Sequence, residues 1–100
     1  MTVTFVRSGL MMTGKYPDAE KFVRARSEWL EKNFDVKSTM MVLLGGQVGR
    51  IAMASENESV AQIEEIRRAI VGGALPKELA TGQEGLIVPG QTQDRIWLHI

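Results

Sequence analysis

Arginines set inside strand-like runs are the residues whose type and spacing first suggest chemistry. Arg7 lies within Val3–Met12, in phase with Val3, Phe5 and Met11, and Arg50 lies within Val48–Ser55, in phase with Val48, Ala52 and Ala54. A terminal run, Arg95–Ile100, puts Ile96, Leu98 and Ile100 on one face and Arg95, Trp97 and His99 on the other. If the aliphatic face packs under helices, Arg7, Arg50, Trp97 and His99 are expected to converge on one cavity. The planar guanidinium fork matches carboxylate or phosphate, so the expected guest is anionic. The competing reading gives these arginines inter-subunit ion pairs or solvent contacts, because charged strand residues often guard edges and register.

Met11 and Tyr16 complete the candidate ligand-binding set. Methionines recur in the strand-like runs (Met11, Met12, Met40, Met41 and Met53), and flexible thioethers suit a pocket for varied apolar ligands, though core filling is the plainer role. Tyr16, just before the first helix, could donate a phenolic hydrogen bond at a cavity mouth or serve as a hydrophobic staple. His99 is the single histidine, a side chain suited to general-base work but with no orienting carboxylate evident near it in sequence. One histidine and no cysteine leave no disulfide, no cysteine nucleophile and no thiolate metal site. No metal and no cofactor is expected. Carboxylates alone can hold a hard cation, but helix electrostatics explains Asp18, Glu20 and Glu28. The glycines of Gly45–Arg50 lack the spacing and the Lys-Ser/Thr of a phosphate loop, and they join two strands.

The elements that must position these side chains follow from periodicity. Val3–Met12 reads as a strand, broken by Thr13-Gly14-Lys15. Tyr16–Glu20 opens a helix, with Pro17 early and acids in the first turn. Ala19, Phe22, Val23, Trp29, Leu30 and Phe34 carry its apolar stripe to Phe34. Glu20/Arg24 and Glu28/Lys32 are i,i+4 pairs on its polar side. Ser38–Leu44 and Val48–Ser55 form a hairpin about Gly45-Gly46-Gln47. Ser59 and Gln62 fit a capping box for a second helix, with Val60, Ile63, Ile66 and Ile70 as its buried stripe and Gly72-Gly73 as its end. Leu75–Ala80 adds a short helical turn. Thr81–Gln93 is punctuated by Gly82, Gly85, Pro89 and Gly90 around the apolar triplet Leu86-Ile87-Val88, expected to form a short extra strand or arm that either caps its own sheet or, the reading preferred here, reaches across to a partner subunit. The order is β-α-β-β-α-β, a ferredoxin-like α+β fold with an antiparallel sheet, one domain over residues 1–100.

Totals exclude several roles. Twelve basic residues balance 12 acidic ones in a chain of 100, so there is no basic field for nucleic acid and no polybasic stretch for an anionic membrane. The start, Met1-Thr-Val-Thr-Phe-Val-Arg, lacks the charged region and long apolar run of a signal peptide. No apolar stretch approaches the roughly 20 residues of a membrane helix, and the expected location is the cytoplasm.

Assembly is legible in the strands. Ser38–Leu44 and Ile51–Ala54 are apolar on both faces, yet two helices cover only one face of a small sheet. A second copy of the chain is the simplest cover for the other, so a homodimer is expected.

This element order, length and doubly apolar sheet resemble the dimeric α+β-barrel superfamily, which includes antibiotic-biosynthesis-type monooxygenases, NIPSNAP-like proteins and stress-responsive barrel proteins. The resemblance implies two ferredoxin-like sheets packed face to face, helices outside, and cavities near the sheets for small organic molecules. The haem-degrading members use an Asn, a Trp and a His; that trio is not matched here residue by residue, and no catalytic residue is carried over. Three functions remain open: a homodimeric barrel binding a small, partly apolar and anionic molecule; a cofactor-free monooxygenase or isomerase on an aromatic or polyketide-like substrate, with Arg7 or Arg50 stabilising enolate charge; and a structural or regulatory interaction module whose barrel is filled by side chains.

Overall fold

Strand alternation and two amphipathic helices divide the molecule into a sheet and one helical layer. A computed structural model of the chain describes residues 2–45 and 49–100. Strand β1 (Val3–Leu10) precedes helix α1 (Tyr16–Phe34), β2 (Ser38–Val42), β3 (Arg50–Asn57), helix α2 (Val60–Val71), a short helix α3 (Lys77–Thr81) and β4 (Gln93–Leu98). The strands make one antiparallel sheet in the order β2-β3-β1-β4. This is the ferredoxin-like α+β arrangement, with the first and third strands as central neighbours. Among the described residues no helix is long and apolar enough to cross a membrane.

Helix α1 starts where its sequence says it should. Pro17 occupies the first turn, where its missing N–H costs nothing, and Asp18 faces the positive end of the helix dipole. It ends at Asp35, which takes a left-handed φ of 53° and donates its N–H to the Glu31 carbonyl. That reversal drops Val36 into the core at 1% exposure. Leu30, Val36 and Ile66 form the centre, with Trp29, Phe34, Met53 and Ile70 packed around them. Each such aliphatic side chain contributes about 1.5–3 kcal/mol when buried. Ser59 caps α2 by accepting the Gln62 amide at 3.2 Å, while the Gln62 side chain accepts from the Glu58 amide at 2.8 Å, one residue earlier than a strict capping box requires.

Register assigns every strand residue to a face. Val3, Phe5, Arg7 and Gly9 share the helix-covered face with Ile51, Met53, Ser55 and Asn57, and with Asp94, Ile96 and Leu98. Val6, Ser8, Ala52, Ala54, Met41 and Trp97 lie on the opposite face, which no helix covers.

Three expectations are corrected. Strand β3 begins at Arg50 and continues two residues past Ser55, so Asn57 is the last residue of a strand; Val48 and the Gly46-Gln47 part of the hairpin lie outside the described residues. Ile96 and Leu98 take the helix side, but no helix reaches over β4, and both stay about half exposed (51% and 55%). The Leu86–Val88 triplet folds back on its own sheet. Ile87 bridges Met11, the Val88 amide donates to the Leu10 carbonyl at 2.8 Å, and the Ile87 side chain sits against Gly9. A β-carbon on Gly9 would lie 2.8 Å from Ile87 Cγ2, so the missing side chain makes room for this segment.

Candidate functional site

The residues expected to converge are dispersed by register. Arg7 lies on the helix side and Arg50, Trp97 and His99 on the open face, because Arg7 pairs with Met53 while Arg50 pairs with Leu10. Along β1 the partners of Arg50 and His99 are Leu10 and Thr2, positions about 27 Å apart along the strand. Met11 stands beyond Leu10, bridged to Ile87, and Tyr16 is exposed at the first residue of α1. One cavity cannot be lined by all six.

Arg50 and His99 each have local partners. The buried Arg50 guanidinium donates to the Gln91 carbonyl at 2.8 Å and clamps the loop before β4 onto the sheet. At the other end of the open face, His99 Nε2 lies 2.6 Å from the Thr4 hydroxyl, which also reaches the Glu56 carboxylate, and His99 is 3.7 Å from that carboxylate. The carboxylate that sequence did not offer to His99 thus arrives from β3. The cluster is exposed and faces away from the helices.

An apolar space able to hold a ligand lies on the helix side. A groove of about 340 Å³ runs between β1, β3 and β4 and the inner faces of α1 and α2. Its walls include Phe5, Trp29, Met53, Ile66 and Ile96, an aromatic and aliphatic surface. It exists because α1 and α2 lean toward β2 and β3 and leave β4 bare. A smaller cavity of about 60 Å³ adjoins it near Gly9, Ile51 and Ile87.

Charge enters this apolar groove at named points. Arg7 makes a two-pronged ion pair with Asp94, Nε to Oδ1 at 2.7 Å and Nη2 to Oδ2 at 2.8 Å, and its guanidinium lies 5.8 Å from the Phe5 ring centre. The hydrogen bonds from Arg7 hold the Asp94 carboxyl below the usual carboxylate value, helped by the Arg7 and Arg67 charges. Those same bonds raise Arg7. Arg67 and Glu64 stand at the rim, 3.9 Å apart. Arg26 differs: its guanidinium lies 5.7 Å from the Phe22 ring centre, and burial, with the neighbouring Arg7 charge, lowers its pKa. Among the described residues no carboxylate is within ion-pair distance of Arg26.

Asn57 closes the far end. It is 3% exposed, and its Nδ2 donates to the Ser55 carbonyl at 3.1 Å and to the Ser55 hydroxyl at 3.2 Å. Its Oδ1 is buried with no hydrogen-bond partner among the described residues. The orientation is fixed, since a flip would set oxygen against the Ser55 carbonyl oxygen.

Neither Arg26 nor Asn57 stands out without the fold, though both carry a sequence signal. Arg26 is three residues from Val23 and from Trp29 and four from Phe22 and Leu30, a lone charge inside the apolar stripe of α1. Asn57 continues the alternation Ile51, Met53, Ser55 by one more step.

The sheet order, the helical layer and the groove between them define a ferredoxin-like α+β protein. Its fold is similar to that of NIPSNAP-like proteins. A NIPSNAP family protein from Agrobacterium tumefaciens superposes with a TM-score of 0.74 at 18% identity, covering 98% of this chain and 92% of that one. A second, of unknown function and from the same organism, gives 0.75 at 14% identity, covering 96% and 86%. An uncharacterised NIPSNAP-like domain protein from Burkholderia xenovorans gives 0.73 at 12% identity, covering 99% and 85%. No protein-family model matches the sequence, and no curated protein matches it. The likeness is therefore one of fold, as expected from the order of elements.

Proposed function

We propose that the chain binds a small, partly apolar molecule in the groove beneath its helices and that it assembles as a homodimer through its open sheet face. The observation that carries the first part is the groove itself: about 340 Å³, walled by Phe5, Trp29, Met53 and Ile96, and crossed by charge only at its ends and rim. A filled interior would have favoured a purely structural module. The enolate-stabilising reading loses support at Arg7, whose charge is already matched by Asp94 in a two-pronged pair. The second part rests on the uncovered face, where Trp97 is 58% exposed and Met41 43%.

A ¹⁵N-labelled sample titrated with 2-naphthol and 2-naphthoate tests the binding site. Shifts concentrated on the Trp29 indole, Met53 and Ile66 are expected. Spectra unmoved by millimolar ligand, or shifts confined to the open face, would end the groove reading. Light scattering on a sizing column tests the assembly, and a mass of twice 11.1 kDa is expected.

A further inference from the structure

The groove carries its own selectivity. Three arginines (Arg7, Arg26 and Arg67) face two carboxylates (Glu64 and Asp94), so its lining has an excess positive charge. Two of the arginines are matched, Arg7 by Asp94 and Arg67 by Glu64. The excess is at Arg26, half-buried against Phe22 and beside the like charge of Arg7. A half-buried cation with a cationic neighbour and no carboxylate is favourable ground for an incoming anion. At the other end, Asn57 Oδ1 is a buried acceptor that none of the described residues satisfies, and leaving such an atom unpaired is unfavourable. A ligand donor that reaches it would recover that loss.

The two features sit apart along one axis. Asn57 pairs with Val3 and Met53 with Arg7, so the Asn57 end and the Arg7–Arg26 end are separated by about 13 Å of strand. Side chains reaching inward shorten that span. Between them the walls are apolar.

From this geometry, and resting on the groove being a binding site, we propose that the groove selects an elongated monoanion: a carboxylate at one end engaging Arg26, a flat apolar body between Trp29 and Met53, and a hydroxyl or N–H donor at the other end meeting Asn57 Oδ1. Arg7 and Asp94 serve as a neutral pair that holds the wall and leaves Arg26 to set the charge preference. A dianion would bring the second charge against Asp94 or Glu64 and is disfavoured. A neutral analogue would leave Arg26 as it stands in the empty groove.

The probe is 6-hydroxy-2-naphthoate, compared by calorimetry with its carboxamide, which removes the charge, and with 6-methoxy-2-naphthoate, which removes the donor. The wild-type protein is expected to bind the hydroxy acid at least tenfold more tightly than either analogue. In Arg26→Met the acid and its amide should bind alike, and in Asn57→Leu the hydroxy and methoxy acids should bind alike. Equal affinity within either pair for the wild-type protein overturns the proposal, and this ligand-side comparison stands even if a variant fails to fold. An acid-to-amide ratio unchanged by Arg26→Met in a folded protein also overturns it. If 2-naphthol still shifts the Trp29 indole while these ratios fail, the groove binds ligands but not with this selectivity. If no naphthalene binds, the groove reading falls and takes the selectivity with it.

Discussion

At the scale of single residues, the Arg7–Asp94 pair is the contact whose worth can be read most directly. Both side chains are nearly half exposed, so solvent screens the attraction, and the two-pronged geometry puts the pair near the upper end for surface ion pairs, about 0.5–1 kcal/mol. Asp94 has a folded pKa below its ordinary 3.8, so its contribution is present above that value and is lost as pH falls through the lower, folded value. Urea unfolding of wild type, Arg7→Met, Asp94→Asn and the double variant should therefore give a coupling of that size at pH 7. The coupling should shrink toward zero on acidification below pH 3.8, and one that grew on acidification would refute the assignment. What sequence made legible here was the presence of a charge on a strand; it could not say which face, because phase fixes faces only relative to neighbours on the same strand. Arg7 and Arg50 look equivalent in sequence. The pairing of β1 with β3 separates them, giving one to the groove and the other to the open face.

At the scale of elements, local signals were strong wherever the backbone closes its own hydrogen bonds. Pro17, the Ser59 cap and the apolar stripes placed α1 and α2 within a few residues of their ends. The Ser59 hydroxyl satisfies one free amide of α2, and Ser59→Ala should lower stability by about 1 kcal/mol in thermal or urea unfolding, with Ser59→Asp close to wild type. A cost below 0.3 kcal/mol or so would mean that the Gln62–Glu58 contact holds the helix start unaided. The Leu86–Val88 segment was less legible, because an apolar triplet does not name the surface it covers. Its anchor is Gly9, which offers Ile87 a gap where any side chain would intrude. Gly9→Ala should cost about 1–3 kcal/mol through that overlap, and adding Ile87→Ala should return less than wild-type stability but relieve the clash. If Gly9→Ala were neutral by urea unfolding, the segment would not be packed as described.

At the scale of the whole molecule, the feature that sequence displayed most plainly was a sheet with two apolar faces, and the structure covers only one of them. The centre of the open face is built from small residues, Ala52, Ala54 and Ser8, flanked by Val6, Met41 and Trp97. Small side chains let a second sheet approach to the roughly 10 Å spacing at which two sheets share a core. Ala54 stands at the middle, between Val6 of β1 and Thr39 of β2. An arginine at that position in a lone chain would extend from a solvent-facing strand and cost little. In a face-to-face dimer it would be buried without a partner, facing its own symmetry copy across the interface. Ala54→Arg is thus expected to leave the circular dichroism spectrum unchanged while moving the solution mass from twice 11.1 kDa to 11.1 kDa. The groove lies on the other side of the sheet, so naphthalene binding should survive in the monomer. A folded Ala54→Arg variant that keeps the dimer mass would move the contact away from the open face, to the bare edge strand β4 and its exposed Ile96 and Leu98.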